Sequence, residues 1–198
     1  MDSEELEKQK SYEWNRLIKK IAKDCRKCEG LTFIPVPGER YANPCPICIP
    51  KAKTITFLKE SGMNVDDIKS SPIPPANLIS EKCLFLQGEQ KSRQALAFGI
   101  LKEEAKQQRT VFFIELSNLL PELKKGNKDY LRYDTLFIDS IDIYRSVDQY
   151  TLPFYDGILF TYKNNPKKKL IVAGHTNCDG YATRFMEIYG TNFKLHFV

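Results

Sequence analysis

The sequence predicts an α/β protein in which a charged helix and a small cysteine-rich module precede a core built on a parallel sheet. Three observations indicate this class. Short apolar runs alternate with helical stretches towards the end of the chain, two Cys-x-x-Cys pairs lie among prolines and glycines, and charged residues with helical periodicity come first. We therefore expect an N-terminal helix, a cysteine module with a following helix, a linker and an α/β domain, at residues 1–24, 25–63, 64–80 and 81–198.

The composition is that of a folded protein. The chain has 198 residues, of which 42% are hydrophobic and 12% aromatic, and its formal net charge is +5. A chain of this length buries enough surface to form a core without crosslinks. It has no run of about 20 apolar residues and no apolar leader, so we expect a cytoplasmic protein without a membrane span. The positive charge permits contact with nucleic acid but does not require it.

Residues 3–23 are expected to form one helix. Ser3 can cap its start, acidic residues occupy its first turn and lysines its last turn, as the helix dipole favours. Helical spacing also predicts a short apolar stripe, made of Trp14, Leu17, Ile18 and Ile21. This stripe either packs on the next module or docks in the groove of a partner.

The rest of the chain alternates between strands and helices after a proline-rich connection. Prolines within 64–80 predict a linker, and residues 51–63 before it look helical. Consecutive apolar residues between helices are typical of a parallel sheet covered on both faces. The expected strands are 83–86, 110–114, 135–138, 170–173 and 193–197. The expected helices are 93–107, 117–125, 147–162 and 181–189.

The two Cys-x-x-Cys pairs predict a structural zinc site. They are separated by 16 residues, a spacing at which two knuckles bring four thiolates into a tetrahedron around Zn²⁺. Four sulfur ligands leave no open position, so the metal would fold the module rather than catalyse a reaction. The alternatives are four buried cysteines without metal and a redox pair. The expected ligands are Cys25, Cys28, Cys45 and Cys48.

Two further cysteines lie outside this pattern. Cys83 falls inside an expected strand and Cys178 falls in a loop. We assign them to packing and to chance.

A strand followed by glycine and a helix invites comparison with a phosphate-binding loop. Gly88, Lys91 and Ser92 occupy that place, but the interval from glycine to lysine is three residues instead of the six that a working loop needs. The residue after the glycine is a glutamate, which opposes an anion. An alignment without a gap puts Gln94 and Ala95 in place of the lysine and the Ser/Thr. Both alignments describe a degenerate nucleotide site.

Asp139 is the candidate Mg²⁺ ligand because it ends an apolar strand of the expected sheet. The next residue, Ser140, is not an acid that could orient an attacking water, and Asp142 lies two residues further on. Asp139 is equally compatible with a loop or helix-capping role. Together with the shortened loop, this pattern predicts that the domain does not hydrolyse ATP, and it leaves weak nucleotide binding open.

The order of these motifs resembles that of DnaC/DnaI-type replicative helicase loaders, relatives of the IstB transposition ATPases in the AAA+ class. In the cysteine module and its helix, the motifs are CRKC, VPGERYANPCPIC and KAKTITFLKESGM. In the core they are LFLQGEQKS, VFFIELSNLLPELKK, TLFIDSID, LIVAGHTN and ATRFMEIYGTNFKLHF. The resemblance covers about 170 of the 198 residues and implies a P-loop/AAA+-like core that lacks the C-terminal lid.

The resemblance also implies roles for three residues near the end of the chain. Arg184 falls near the arginine finger that loaders present to a neighbouring subunit's nucleotide, and otherwise it is an exposed helix arginine. His175 or Asn177 falls near the sensor position. The sequence departs from the family in its shortened phosphate loop and its missing second acid, and it reaches Val198 before a second sensor arginine.

Three functions follow from these observations. The first is a helicase loader or loader-like adaptor of a phage or mobile element, which binds a DnaB-type replicative helicase, holds structural zinc and aids loading on single-stranded DNA. The second is an active replication or transposition ATPase that uses Lys91 and Mg²⁺-ATP. The third is a zinc-ribbon DNA-binding protein, in which Arg26, Lys167, Lys168 and Lys169 contact phosphates.

Overall fold

The structure, a computed structural model, describes residues 3–144, 146–175 and 180–198. The chain divides into two compact units, Met1–Thr56 and Phe57–Val198. Among the described residues, no helix combines the length and the apolar character that crossing a membrane requires.

The first unit contains one long helix and a small hairpin. Helix α1, Ser3–Ala22, has acidic residues in its first turn and lysines in its last, as predicted. Strands β1, Phe33–Pro35, and β2, Ala42–Pro44, pair in antiparallel orientation. Helix α2, Cys48–Lys59, follows the hairpin directly.

The end of α1 packs against the cysteines of its own unit. Ala22 is buried in one apolar cluster with three of the four cysteines, and Ile21 and Ile34 pack against that cluster. Ile18 is also buried, whereas residues 4–13 are exposed throughout. The interpretation in which the apolar stripe packs on the cysteine module is therefore confirmed for the last turns of α1.

The second unit is built on a sheet of five parallel strands in the order β4-β5-β6-β3-β7. The three central strands are almost entirely buried, which explains their unbroken apolar sequence. The strands are β3, Cys83–Gln87; β4, Val111–Glu115; β5, Thr135–Asp139; β6, Lys169–Gly174; and β7, Lys194–Phe197. The predicted α/β class with a parallel sheet is confirmed.

Helices cover both faces of this sheet. Alternate strand residues face two separate cores: Phe85 and Ile138 belong to one, and Leu84 and Phe137 to the other. The first core is closed by α6, Leu116–Lys124; α7, Leu152–Asn164; and α8, Tyr181–Tyr189. The second core is closed by α3, Val65–Ser70; α4, Ala76–Ser80; and α5, Gln90–Lys106.

The stretch expected to be a linker, residues 64–80, instead holds α3 and α4. Ile68 and Leu78 from these helices are buried in the second core. Between the helices the chain lies so close to α5 that a Cβ atom on Gly99 would be 2.3 Å from the carbonyl oxygen of Pro72. The prolines therefore end short helices here instead of marking a free connection, because the apolar residues between them join the core.

Helix α7 begins at Leu152, five residues later than the periodicity predicted. The Asp148 carboxylate accepts a hydrogen bond from the N–H of Tyr150, and the N–H of Asp148 is donated to the hydroxyl of Tyr181. This turn leads into Pro153 near the start of the helix, a position that suits proline. Local side-chain hydrogen bonds thus compete with the first turn of the helix.

Candidate metal centre and carboxyl edge of the sheet

The four cysteines of the paired motifs converge in the first unit. Cys25 and Cys28 lie in the turns after α1, Cys45 follows β2 directly and Cys48 opens α2. Their Sγ atoms all lie within 4.8 Å of one another. The Sγ atoms of Cys25 and Cys45 are 3.8 Å apart, and those of Cys28 and Cys48 are 3.6 Å apart.

These distances fit zinc. With Zn–S bonds of about 2.3 Å, the edge of a ZnS₄ tetrahedron is about 3.8 Å. Three of the four cysteines are buried, and the metal-binding group found in the described part of the chain contains sulfur ligands only. A bound zinc ion would supply a structural crosslink between α1, the hairpin and α2, with no position left for a substrate.

Backbone geometry prepares the first pair for a metal. The N–H of Cys28 donates a hydrogen bond to the sulfur of Cys25 and lowers the pKa of that thiol to about 7. Burial acts in the opposite direction on Cys48, whose pKa is raised. Thr32 has a positive φ of 68°, and its carbonyl oxygen accepts the N–H of Cys45, which links the two knuckles.

Cys83 takes no part in this cluster. It is buried in the first core of the second unit, where burial raises the pKa of its thiol. The expected packing role of Cys83 is confirmed. Cys178 lies outside the described residues.

The turn between β3 and α5 is too short to encircle a phosphate. Only Gly88 and Glu89 separate the two elements. The N–H of Gly88 is donated to the carbonyl oxygen of Gly174, at 3.3 Å. Gly88 has a φ of +148°, and a Cβ atom there would lie 2.2 Å from the carbonyl oxygen of Val198. Glycine is required here for the close approach of the chain after β7 rather than for a phosphate loop.

The other two loop candidates lie in the first turn of α5. Lys91 is exposed and Ser92 is half-buried. Gly88 therefore lies in the short β3–α5 turn, and Lys91 and Ser92 lie in the helix itself instead of in a loop before it.

Asp139 is entirely buried at the carboxyl end of β5, where it forms an ion pair with Arg93. Its Oδ1 atom accepts hydrogen bonds from Arg93 Nε at 2.8 Å and from the N–H of Ser140 at 2.7 Å. Its Oδ2 atom accepts one from Gln94 Nε2 at 2.7 Å. Both carboxylate oxygens are thus engaged by the protein.

The guanidinium of Arg93 also binds the two segments on either side of this carboxylate. Its Nη1 donates to the carbonyl oxygen of Gly88 at 3.0 Å, and its Nη2 donates to Ser140 Oγ at 3.0 Å. Ser140 has a positive φ of 57°, an uncommon backbone conformation that turns the chain immediately after β5. One side chain therefore joins the start of α5, the β3–α5 turn and the end of β5.

This geometry does not fit a magnesium nucleotide. The carboxylate that would hold the cation is buried and already neutralised, and the Gly88 N–H that would face a phosphate is already donated.

Sequence reasoning missed Arg93 and gave Gln94 no role in holding Asp139. A signal was available, because Arg93 precedes Leu96, Ala97 and Ile100 by three, four and seven positions and so lies on the buried face of α5. An arginine on such a face requires a buried acid, but the acid is 46 positions away in the sequence.

The expected sensor position lies beside another strand-end acid. The backbone N–H of His175 donates to Asp142 Oδ2 at 2.5 Å, and a Cβ atom on Gly174 would be 2.9 Å from Asp142 Oδ1. Asp142 thus packs against the end of β6. Asn177 lies outside the described residues.

Arg184, the possible arginine finger, is engaged within its own domain. Its Nε and Nη2 atoms donate to the two carboxylate oxygens of Asp156 on α7, at 2.9 and 2.7 Å. Its Nη1 atom donates to Glu187 at 2.9 Å. These hydrogen bonds, above all those to Asp156, raise the pKa of Arg184. This bidentate pair joins α7 to α8.

The lysine run that could contact DNA is partly committed to the fold. Lys169 is buried and donates to Glu104 at 3.1 Å and to backbone carbonyls of α4. Lys168 donates to the carbonyl oxygen of Tyr133 at 2.6 Å. Lys167 is exposed, as is Arg26 in the first unit. Lys169 cannot reach a DNA phosphate, because its ammonium group lies under α4.

No protein-family model matches the sequence, and no curated protein matches it. Among solved structures, the chain is similar to the DnaC helicase loader, with 14% identity and a TM-score of 0.47 over 73% of this chain and 85% of that one. It is similar to a DNA replication initiation factor, with 21% identity and a TM-score of 0.50 over 62% of this chain and 41% of that one. It is also similar to DnaI, with 15% identity and a TM-score of 0.46 over 75% and 81%.

The α/β fold that the sequence predicted is similar to the fold of a solved DNA replication initiation factor. The likeness to the initiation factor spans 62% of this chain, whose second unit is built on a parallel sheet. The N-terminal helix and the four-cysteine cluster accompany this domain in the same chain.

Proposed function

We propose that this protein is a helicase loader or loader-like adaptor in DNA replication. It would bind a DnaB-type hexameric helicase through its first unit, aid placement of that helicase on single-stranded DNA, and do so without hydrolysing ATP. Three features support the proposal: a fold similar to that of a replication initiation factor, the order of loader-like motifs along the sequence, and a complete set of four cysteine ligands in a chain whose candidate Mg²⁺ ligand, Asp139, is paired with Arg93.

The observation that carries the choice of binding surface is the contrast along α1. Its last turns pack on the cysteine cluster, whereas residues 4–13 are exposed. A helix of 20 residues is about 30 Å long, so its first half extends from the metal module with side chains free of the core. An exposed helix anchored at one end on a rigid module is suited to docking on another protein.

Sedimentation velocity with a purified DnaB-type hexamer tests this surface. We expect the zinc-loaded protein to form a defined complex at micromolar concentration. Reversing two exposed charges of α1, Lys10→Glu with Arg16→Glu, should weaken the complex at least tenfold. The matched control reverses two exposed charges of the second unit, Lys128→Glu with Lys194→Glu, and should leave binding unchanged. Equal binding by the wild type and the α1 variant would exclude α1 as the contact.

A second candidate is direct binding of single-stranded DNA by the first unit. Residues 16–27 contain six exposed cations and a single acid, Asp24. Such a cluster binds phosphates with an affinity that falls steeply as salt increases. The measurement is fluorescence anisotropy with a labelled oligonucleotide between 50 and 200 mM salt, and a flat salt response would exclude this candidate. The cations are Arg16, Lys19, Lys20, Lys23, Arg26 and Lys27.

A further inference from the structure

We propose that Arg93 is a permanent internal counter-ion that takes the place of an external cationic ligand at the carboxyl edge of the sheet. The α/β domain would then keep its arrangement without Mg²⁺ or nucleotide, and removal of the guanidinium would uncover a divalent-cation site at Asp139. This inference goes beyond the proposed function, because it concerns the ligand dependence of the domain by itself.

Asp139 is entirely buried at the end of a central strand. A buried carboxylate needs a cation and hydrogen bonds to offset the loss of its hydration. In open parallel sheets, the carboxyl ends of the strands are also where ligands bind. Asp139 therefore lies where a ligand-binding acid is expected, and because it is buried it needs a nearby cation and hydrogen bonds.

Arg93 is itself buried, and it contacts Asp139, Ser140 Oγ and the carbonyl oxygen of Gly88 at 2.8 to 3.0 Å. A guanidinium does not lose its proton in proteins. The positive charge that faces Asp139 is thus supplied by the sequence itself and does not depend on the supply of a ligand.

Arg93 lies in the first turn of α5, where the helix dipole disfavours a cation. Helix propensity alone gives no reason for an arginine on the buried face there. The contacts with Asp139 and the β3–α5 turn supply that reason.

A cation could reach Asp139 only if the guanidinium left, since Arg93, Gln94 and the N–H of Ser140 occupy both carboxylate oxygens. Without the guanidinium, a carboxylate and the Ser140 hydroxyl would face one another across a vacated space. Oxygen ligands of this kind suit Mg²⁺ or Mn²⁺. Arg93 thus closes the site electrostatically as well as sterically.

Thermal unfolding of the full zinc-loaded chain, followed by near-UV circular dichroism, tests the proposal. We expect the Tm of the wild type to be unchanged by Mn²⁺, Mg²⁺-ADP or a non-hydrolysable Mg²⁺-ATP analogue. Arg93→Met should lower the Tm by about 10 °C because it leaves a buried charge unpaired. Millimolar Mn²⁺ should then restore part of that loss.

Two further variants test whether the response to Mn²⁺ depends on the unpaired Asp139 carboxylate. The double variant Arg93→Met with Asp139→Asn removes both charges, so it should recover most of the lost Tm and show no response to Mn²⁺. The control Arg184→Met breaks the ion pair with Asp156 instead and should also show no response to Mn²⁺.

The proposal is overturned by a saturable increase in the wild-type Tm with Mg²⁺ nucleotide, a result that requires no variant to fold. It is also overturned if Mn²⁺ stabilises the double variant as much as Arg93→Met. If Arg93→Met does not fold, Arg93→Lys keeps a cation at the site and should fold without a response to Mn²⁺; a clear response there would contradict the proposal. No helicase is present in these experiments, so their outcome is independent of the proposed function.

Discussion

The cysteine cluster and the carboxyl edge of the sheet differ in the source of the positive charge that balances their acidic groups. The cluster gathers four sulfur ligands, and we expect its cation to be a metal from solution. At the sheet edge, the Asp139 carboxylate already has the Arg93 guanidinium at 2.8 Å. We therefore expect the first site to depend on a bound metal for its stability and the second to be stable without one.

The two sites also differ in how far apart their residues lie in the sequence. All four metal ligands fall within 25–48, on one helix end, one hairpin and one helix start. Arg93 and Asp139 are 46 positions apart and meet only when α5 packs on the sheet. A local spacing can specify the first site, whereas the second is a product of tertiary structure.

Removing zinc should have the largest effect and tests the ligand dependence of the first unit. Cys48→Ser removes one of the four expected sulfur ligands and should abolish stoichiometric zinc binding. The effect on folding should be large, because about 10–16 kcal/mol of apparent zinc affinity is available to fold such modules. Limited proteolysis should then cleave the first unit while the second stays intact. The control Cys83→Ala lies outside the cluster and should keep one zinc per chain by elemental analysis. Stable folding of the Cys48→Ser module without metal would break the comparison.

A buried ion pair at the opposite edge of the same sheet gives the next largest effect. Lys169→Met removes the ammonium group from Glu104, which keeps the Arg109 guanidinium at 2.9 Å, and should cost about 3 kcal/mol of unfolding free energy. Chemical denaturation measures this loss, and exposed Lys167→Met should stay within about 0.5 kcal/mol of the wild type.

The same lysine predicts a pH dependence. Burial lowers the pKa of Lys169 below its usual 10.5, so the unfolded chain binds more protons between the lowered and the usual value. The stability of the wild type relative to Lys169→Met should therefore rise as pH increases through this window. A difference that falls with pH would contradict the assignment.

Gly88→Ala should have an intermediate effect and sharpens the role of the β3–α5 turn. The new Cβ atom would meet the carbonyl oxygen of Val198 at 2.2 Å, at a φ that alanine rarely adopts. We expect a loss of about 1–3 kcal/mol in chemical denaturation. Gly157→Ala in α7, where nothing lies within 4 Å, should be neutral or stabilising. A neutral Gly88→Ala would mean that the chain after β7 does not pack on this turn.

The smallest effect is expected from the exposed pair of Lys124 and Asp148, with its Nζ–Oδ2 distance of 2.6 Å. The hydrogen bond from Lys124 lowers the pKa of Asp148 below 3.8. The contribution of this pair to stability is therefore present above pH 3.8 and is lost as pH falls through the lowered pKa. Lys124→Met should lower the Tm slightly at neutral pH, and added salt should remove the difference. A large effect that salt does not alter would indicate a role beyond this pair.

Long apolar runs in the sequence predicted the buried strands, and the local spacing of the cysteines predicted their cluster. The runs at 135–138 and 170–173 became β5 and β6, and the two Cys-x-x-Cys pairs converged. The predicted linker became α3 and α4, because Ile68 and Leu78 join a core that is assembled from distant segments. The pairing of Arg93 with Asp139 and of Arg184 with Asp156 likewise depends on helix packing that no local pattern encodes.

The most direct test of this account measures whether the complex with a replicative helicase depends on nucleotide. The zinc-loaded protein would be titrated against a purified DnaB-type hexamer and the complex followed by sedimentation velocity. One titration would contain no nucleotide, and in the other this chain would be incubated with Mg²⁺-ATP before mixing. The account predicts the same defined complex and the same affinity in both cases, together with loss of the complex when zinc is removed. A complex that forms only after this chain has been incubated with Mg²⁺-ATP, or that persists without zinc, would contradict it.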